Sequence, residues 1–207
     1  MGKEKSKKET LKQQIYTAVM TDIIHGKFQP KDIINEKGLM EIYGASRAPV
    51  REALIALCNE HVLESIPCYG YQVKELSDKD VVDIQRFRIA LEVGFMTRYW
   101  NMITPEVLDD LEELRDKPEE CDVFFHWDHN VRFHIRLMEC YDDPYALQQL
   151  RAALSVETRA FAQKRWELWH KPLFSERPLI HEEIIDAIRC DRKVLACKLL
   201  EADIRTI

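Results

Sequence analysis

The chain has 207 residues, 46% of them hydrophobic, and a formal net charge of −6. That length suits one large or two small domains with real cores, and the acidic balance excludes a general polyanion binder. No run of about 18 apolar residues is present, so no membrane-spanning helix is expected, and "MGKEKSKKE" at the start does not read as a secretory signal.

The charge is unevenly spread, +1 over residues 1–75 and −7 over the remainder. Residues 1–9 read as a flexible basic arm, with Lys3, Lys5, Lys7 and Lys8 either touching phosphates or simply solvated. From 9 to 25, Leu11, Ile15, Val19, Ile23 and Ile24 share one helical face, and Gly26 supplies the stop. "KFQPKDII" is a loop with a short extended piece. Asn35 caps a helix over 36–43, Gly44 ends it, and Ser46 caps a helix over about 47–59 with Val50, Ala53, Leu54 and Leu57 inward. Pro49 is tolerated in that first turn, where the N–H groups have no intrahelical partner. Residues 62–66 and 71–75 read as two strands around a turn at 67–70, the wing of a winged helix-turn-helix.

Beyond residue 76 only helices are expected. Ser77-x-x-Asp80 is a capping box for a helix to about 100, and Thr104-Pro105-Glu106 opens the next. Four more follow, over about 120–141, 144–168, 175–190 and 191–205. The fold class is mainly α: a winged helix-turn-helix over 10–76, then a six-helix antiparallel bundle over 77–207 for effector binding and dimerisation. The six cysteines (Cys58, Cys68, Cys121, Cys140, Cys190, Cys197) form no C-x-x-C pair. They read as reduced, mostly buried thiols of a cytoplasmic protein.

Arg47 and Arg51, one helical turn apart at the start of a helix, have the chemistry to pair with guanine edges in the major groove. The Ser46 hydroxyl, Lys37 and backbone N–H groups suit phosphates. An amphipathic helix with two solvated arginines is the plainer reading of the same residues. Residues 10–76 also resemble the DNA-binding domain of the GntR family of bacterial transcription regulators. The likeness rests on G-K-F-x-P at 26–30, N-E-x-x-L at 35–39, G-A-S-R-A-P-V-R-E-A-L at 44–54 and G-Y-x-V at 70–73. It implies DNA contact by Lys37, Ser46, Arg47, Arg51 and, at the wing tip, Gly70. Two departures stand out: the wing reads "PCYGY", with few cations, and His61 stands where the family ends its recognition helix with glycine.

The acidic half resembles the FCD domain of the FadR-type subfamily, through Arg88-x-x-Leu91-Glu92, Phe133-His134, and His181 with Ile184, Ala187 and Ile188. Past Ile188 the likeness weakens, because Arg192 stands where the family often has Asp and Asp191 comes one residue early. In the metal-containing branch, an Asp and three His bind a divalent ion that anchors a small organic acid. Carried onto this chain, those positions are Asn130, His134, His181 and Asp203, with Asn130 in place of the Asp and Asp203 in place of the last His. Imidazole with carboxylate suits zinc, nickel or manganese. Otherwise the histidines are hydrogen-bonded core residues. His126 shares a face with Asn130 as a substitute ligand, whereas His129 points elsewhere. Arg88 either holds the effector carboxylate or pairs with Glu92 one turn on. Trp100, Trp127, Trp166 and Trp169 read as core or dimer contacts. The resemblance thus implies a homodimeric regulator that binds a near-palindromic duplex operator under control of a small carboxylic acid. The alternative is an architectural DNA-binding protein whose helical half only dimerises. No paired general acid and base or nucleophile accompanies the histidines, so an enzyme is not expected.

Overall fold

A computed structural model of the chain describes residues 9–114, 123–165 and 180–205. Most of the basic arm, Cys121, Trp166 and Trp169 lie outside the described residues, as do the starts expected near 120 and 175 and the end expected near 168. The chain forms two compact units that meet in sequence between Leu76 and Ser77.

In the first unit, α1 (Leu11–Ile24) starts at a reciprocal Thr10–Gln13 capping box and buries Ile15, Val19 and Ile23. Asn35 caps α2 (Glu36–Tyr43) by accepting from the Gly38 N–H at 2.7 Å. Gly44 ends α2 at φ 59°, a left-handed turn that glycine enters without a Cβ penalty. α3 (Arg47–Asn59) buries Val50, Ala53, Leu54 and Leu57, the face expected of it. His61 does take the left-handed conformation, at φ 55°. It closes α3 with the Val62 N–H donating to the Leu57 carbonyl at 2.9 Å and its own N–H donating to the Cys58 carbonyl. The Tyr43 hydroxyl donates to Asp22 at 2.6 Å, and that of Tyr16 donates to Glu60 at 2.5 Å, fastening α1 to both later helices.

Three short strands complete the unit: β1 (Ile33–Ile34), β2 (Leu63–Ile66) and β3 (Gly70–Val73), antiparallel in the order β1-β3-β2. Ile34 and Ser65 both face Tyr71 across the ladder. Gly70 has φ 130°, and a Cβ built there would lie 2.5 Å from the Ile34 carbonyl oxygen. Gly70→Ala therefore has to push β1 off β3. It is expected to cost on the order of 1–3 kcal/mol, seen as a lower unfolding midpoint of this unit.

The second unit contains six α-helices among the described residues: α4 (Asp78–Arg98), α5 (Pro105–Glu113), α6 (Val123–Glu139), α7 (Pro144–Arg165), α8 (His181–Arg189) and α9 (Lys193–Ile204). The Ser77–Asp80 capping box opens α4, and Thr104 with Pro105 opens α5, as their sequences predict. α4 lies against α7 and α9, α8 against α5 and α9, and α6 against α5 and α7. Their shared core includes Met96, Leu111, Phe133, Leu150, Ile184 and Leu200. Asp191, one residue early for the family pattern, ends α8 at φ 53° and accepts from Trp100 Nε1 at 2.9 Å. Trp127 is a core residue, stacked on Phe161.

One expectation is corrected. None of the five described cysteines is fully buried: Cys58, Cys140 and Cys197 are half-buried, while Cys68 and Cys190 are exposed. Cys68 sits in the wing turn and Cys190 at the end of α8, both exposed. No described helix is long and apolar enough to cross a membrane.

Candidate nucleic-acid interface and candidate metal centre

Lys37 lies on the exposed side of α2, its side chain 88% accessible, 4.0 Å from Glu41. Ser46, Arg47 and Arg51 are exposed at the start of α3. Ser46 occupies the N-cap position, but its hydroxyl makes no capping bond. The reason is local. An N-cap oxygen accepts a hydrogen bond from the second or third helical N–H, and Pro49, the third residue here, removes one of those two donors. The hydroxyl is left facing outward. Both arginines pair with Glu36, Arg47 through Nε at 2.6 Å and Arg51 through Nε at 3.8 Å. Gly70 lies inward of the wing tip, against β1. The residue that projects there is Tyr69, 75% exposed.

The second unit carries its chemistry inside. His134 on α6, His181 at the start of α8 and Asp203 near the end of α9 are all buried, with one ligand atom from each within 4.8 Å of the others. His134 Nε2 is 3.0 Å from Asp203 Oδ2, and its Nδ1 is 2.5 Å from Glu92 Oε2. His181 Nε2 is 3.4 Å from the same Asp203 oxygen. The Phe133 ring stacks on the His181 ring at 3.8 Å and fixes its plane. Asn130 is buried one turn before His134, and neither atom of its carboxamide has a hydrogen-bond partner among the described residues.

Arg88 stands behind this group. It is fully buried, donating from Nε to Glu92 at 2.8 Å and from Nη1 to Glu157 on α7 at 2.5 Å. The pair with Glu92 expected from the i, i+4 spacing is therefore present, but in the interior, where it matters far more than an exposed pair. Burial alone would raise the Glu92 pKa; His134 and Arg88 outweigh it and hold Glu92 below its ordinary value. Burial opposes charge on His134, yet Glu92 and Asp203 hold its pKa above the usual histidine value. Asp203, against the same opposition, is held well below the carboxylate range by hydrogen bonds from His134 and His181.

The structure thus brings His134, His181 and Asp203 together and lays Asn130 on the same helix face. His126 is half-buried, and the His129 ring packs on Phe125 at 4.1 Å. Sequence reasoning missed Glu157. Its position was detectable: it recurs at helical spacing with Ala153, Leu154 and Ala160, all buried, and a carboxylate in such a stripe needs a partner.

The donor set fits a divalent cation. Two imidazoles and a carboxylate converge, and a buried unpaired amide costs about 1–3 kcal/mol, so Asn130 has a carbonyl to offer. Outer carboxylates that orient ligating histidines, as Glu92 orients His134, are usual at such centres.

A winged helix-turn-helix followed by a helical domain with an internal cluster of ligand-type side chains is an architecture of transcription-regulator families. Residues 11–73 match the bacterial regulatory proteins of the gntR family, and residues 83–206 match the FCD domain. The chain belongs to the GntR family, in its FadR-like, FCD-bearing subfamily. It is 37% identical over 107 residues to the uncharacterized HTH-type transcriptional regulator YdhC of Bacillus subtilis (strain 168), covering 52% of this chain and 48% of that one. With the HTH-type transcriptional repressor RspR of Escherichia coli (strain K12) it shares 30% over 140 residues, 65% of this chain and 60% of that protein. The matches span only 48% and 60% of these relatives' length. The solved structure of E. coli McbR/YncC superposes with a TM-score of 0.74 at 22% identity, covering 96% of this chain and 95% of that one, a likeness of fold.

Proposed function

We propose that the protein is a homodimeric, cytoplasmic transcription regulator whose hold on a near-palindromic operator is set by a small carboxylic acid bound in the helical domain. The observation that carries this reading is the buried convergence of His134, His181 and Asp203 in a chain that also has a helix-turn-helix. Two recognition helices in a symmetric dimer address successive major grooves. Arg47 and Arg51 read bases, Lys37 and the outward Ser46 hydroxyl hold phosphates, and the wing at Gly70 follows the backbone. In the helical domain, His134, His181, Asp203 and the Asn130 carbonyl hold zinc, nickel or manganese. When bound, the ion supplies a Lewis-acidic position for a carboxylate oxygen. Glu92 fixes the His134 ring and Arg88 fixes Glu92. The Arg88 Nη2 group, buried and without a partner among the described residues, is the donor left for the effector. An acid bound there favours one arrangement of the domain and shifts DNA affinity by a population change.

A second reading is favoured by one observation: both ring nitrogens of His134 already face carboxylates. On that reading the cluster is self-sufficient and the protein is an architectural DNA binder. Elemental analysis of protein purified without metal resin or chelator separates the two. The regulator is expected to carry about one divalent ion per chain, reduced in Asn130→Ala and His181→Ala, and its DNA affinity is expected to respond to chelator and to small carboxylic acids. Metal-free protein with DNA binding indifferent to both establishes the architectural reading.

A further inference from the structure

Glu36 is out of place for a residue on a DNA-facing surface, since a carboxylate there repels phosphates. Its side chain is 18% exposed, beside 72% for Arg47 and 61% for Arg51. Oε2 accepts from Arg47 Nε at 2.6 Å, and Oε1 lies 3.8 Å from Arg51 Nε. From the other side, the Tyr71 hydroxyl of β3 lies within reach of the charge of the same carboxylate. Burial first, then the charge of Glu36, pushes that hydroxyl above its ordinary pKa. One side chain therefore links the first turn of α2 to the first turn of α3.

Both arginines are approached through Nε. A guanidinium held there keeps its two terminal nitrogens, which form the fork that meets guanine O6 and N7 end-on. An exposed arginine has many rotamers, and ordering it on binding costs affinity; a partner that orders it beforehand removes part of that cost.

We propose that Glu36 is a positioning residue for sequence reading: it holds Arg47 and Arg51 by their Nε atoms so that their terminal nitrogens are presented together to the base edges. The inference rests on α3 being the recognition helix. It explains why a carboxylate stands beside two DNA-reading cations.

The test uses the full chain. Wild-type protein selects sequences from a randomised duplex pool. The best sequence and an unrelated duplex of equal length are then measured with wild type, Glu36→Ala and Glu36→Gln. Glu36→Ala is expected to lower the ratio of specific to non-specific affinity about tenfold or more, while binding to the unrelated duplex stays level or strengthens because a negative charge is gone. Glu36→Gln keeps an acceptor and is expected to recover part of the ratio. Where Glu36→Ala fails to fold, Glu36→Gln carries the comparison, with a partial fall in the ratio expected. Equal strengthening on both duplexes makes Glu36 only a repulsive charge and overturns the proposal. Equal weakening with a lower unfolding midpoint makes it a strut and does the same. A wild type that selects no sequence overturns the recognition-helix reading as well, whereas one that selects while the Glu36 variants keep the full ratio overturns this inference alone.

Discussion

Arg88→Ala is expected to destabilise the helical unit by about 3–5 kcal/mol, the usual result of removing one partner from a buried ion-pair group. Arg88 is the cation between Glu92 and Glu157 and is itself fully buried. Without it two interior carboxylates face each other across an empty guanidinium site. All four tryptophans follow residue 76, so tryptophan fluorescence during denaturant unfolding reports on this unit and not on the winged helix. The Arg88→Ala, Glu157→Gln double variant is expected to regain part of the loss, because it removes one stranded charge. A loss under about 1 kcal/mol in the single variant would mean that the group is screened by solvent, contrary to its burial. The same substitution also releases Glu92, so His134 loses its orienting carboxylate and metal content is expected to fall.

Arg51→Ala is expected to abolish preference for the selected operator while leaving the fold intact. Its side chain is 61% exposed, so circular dichroism and the unfolding midpoint should match wild type. Each arginine–guanine pair is worth roughly 1–3 kcal/mol of discrimination, and a symmetric dimer loses one in each half-site. The specific affinity should therefore drop by roughly thirtyfold to roughly twenty-five-thousandfold, with non-specific affinity reduced only by the lost charge. Titration of the selected and unrelated duplexes at one fixed salt concentration checks this. Full discrimination by a folded Arg51→Ala protein would remove Arg51 from the reading set.

The winged helix was legible because its determinants are local. Asn35, Gly44 and Ser46 mark helix ends by the geometry of one turn, and His61 took the left-handed conformation that its position required. Ser46 takes the N-cap position its sequence predicts but makes no capping bond, and Pro49, three residues on, is a missing donor there. In the helical unit, periodicity located the helices but not the partners of their polar residues. Arg88 and Glu92 stand one turn apart on any helix, and nothing in that spacing says whether the shared face meets water or Glu157. The cysteines were misjudged for a related reason: their usual burial is an average, and turn positions such as those of Cys68 and Cys190 override it.

By itself the sequence determined the order and kind of the elements, the two arginines at a helix start, and the family likeness of each half, because caps, turns and apolar periods act over a few residues. Only the tertiary structure decided that His134 is gripped by Glu92 and Asp203, that His181 is stacked on Phe133, and that Glu36 stands between Arg47 and Arg51. Those contacts join residues 11 to 69 positions apart, across helices whose packing sets which inward faces meet. Burial then converts that meeting into shifted protonation and fixed geometry, which no spacing along the chain encodes.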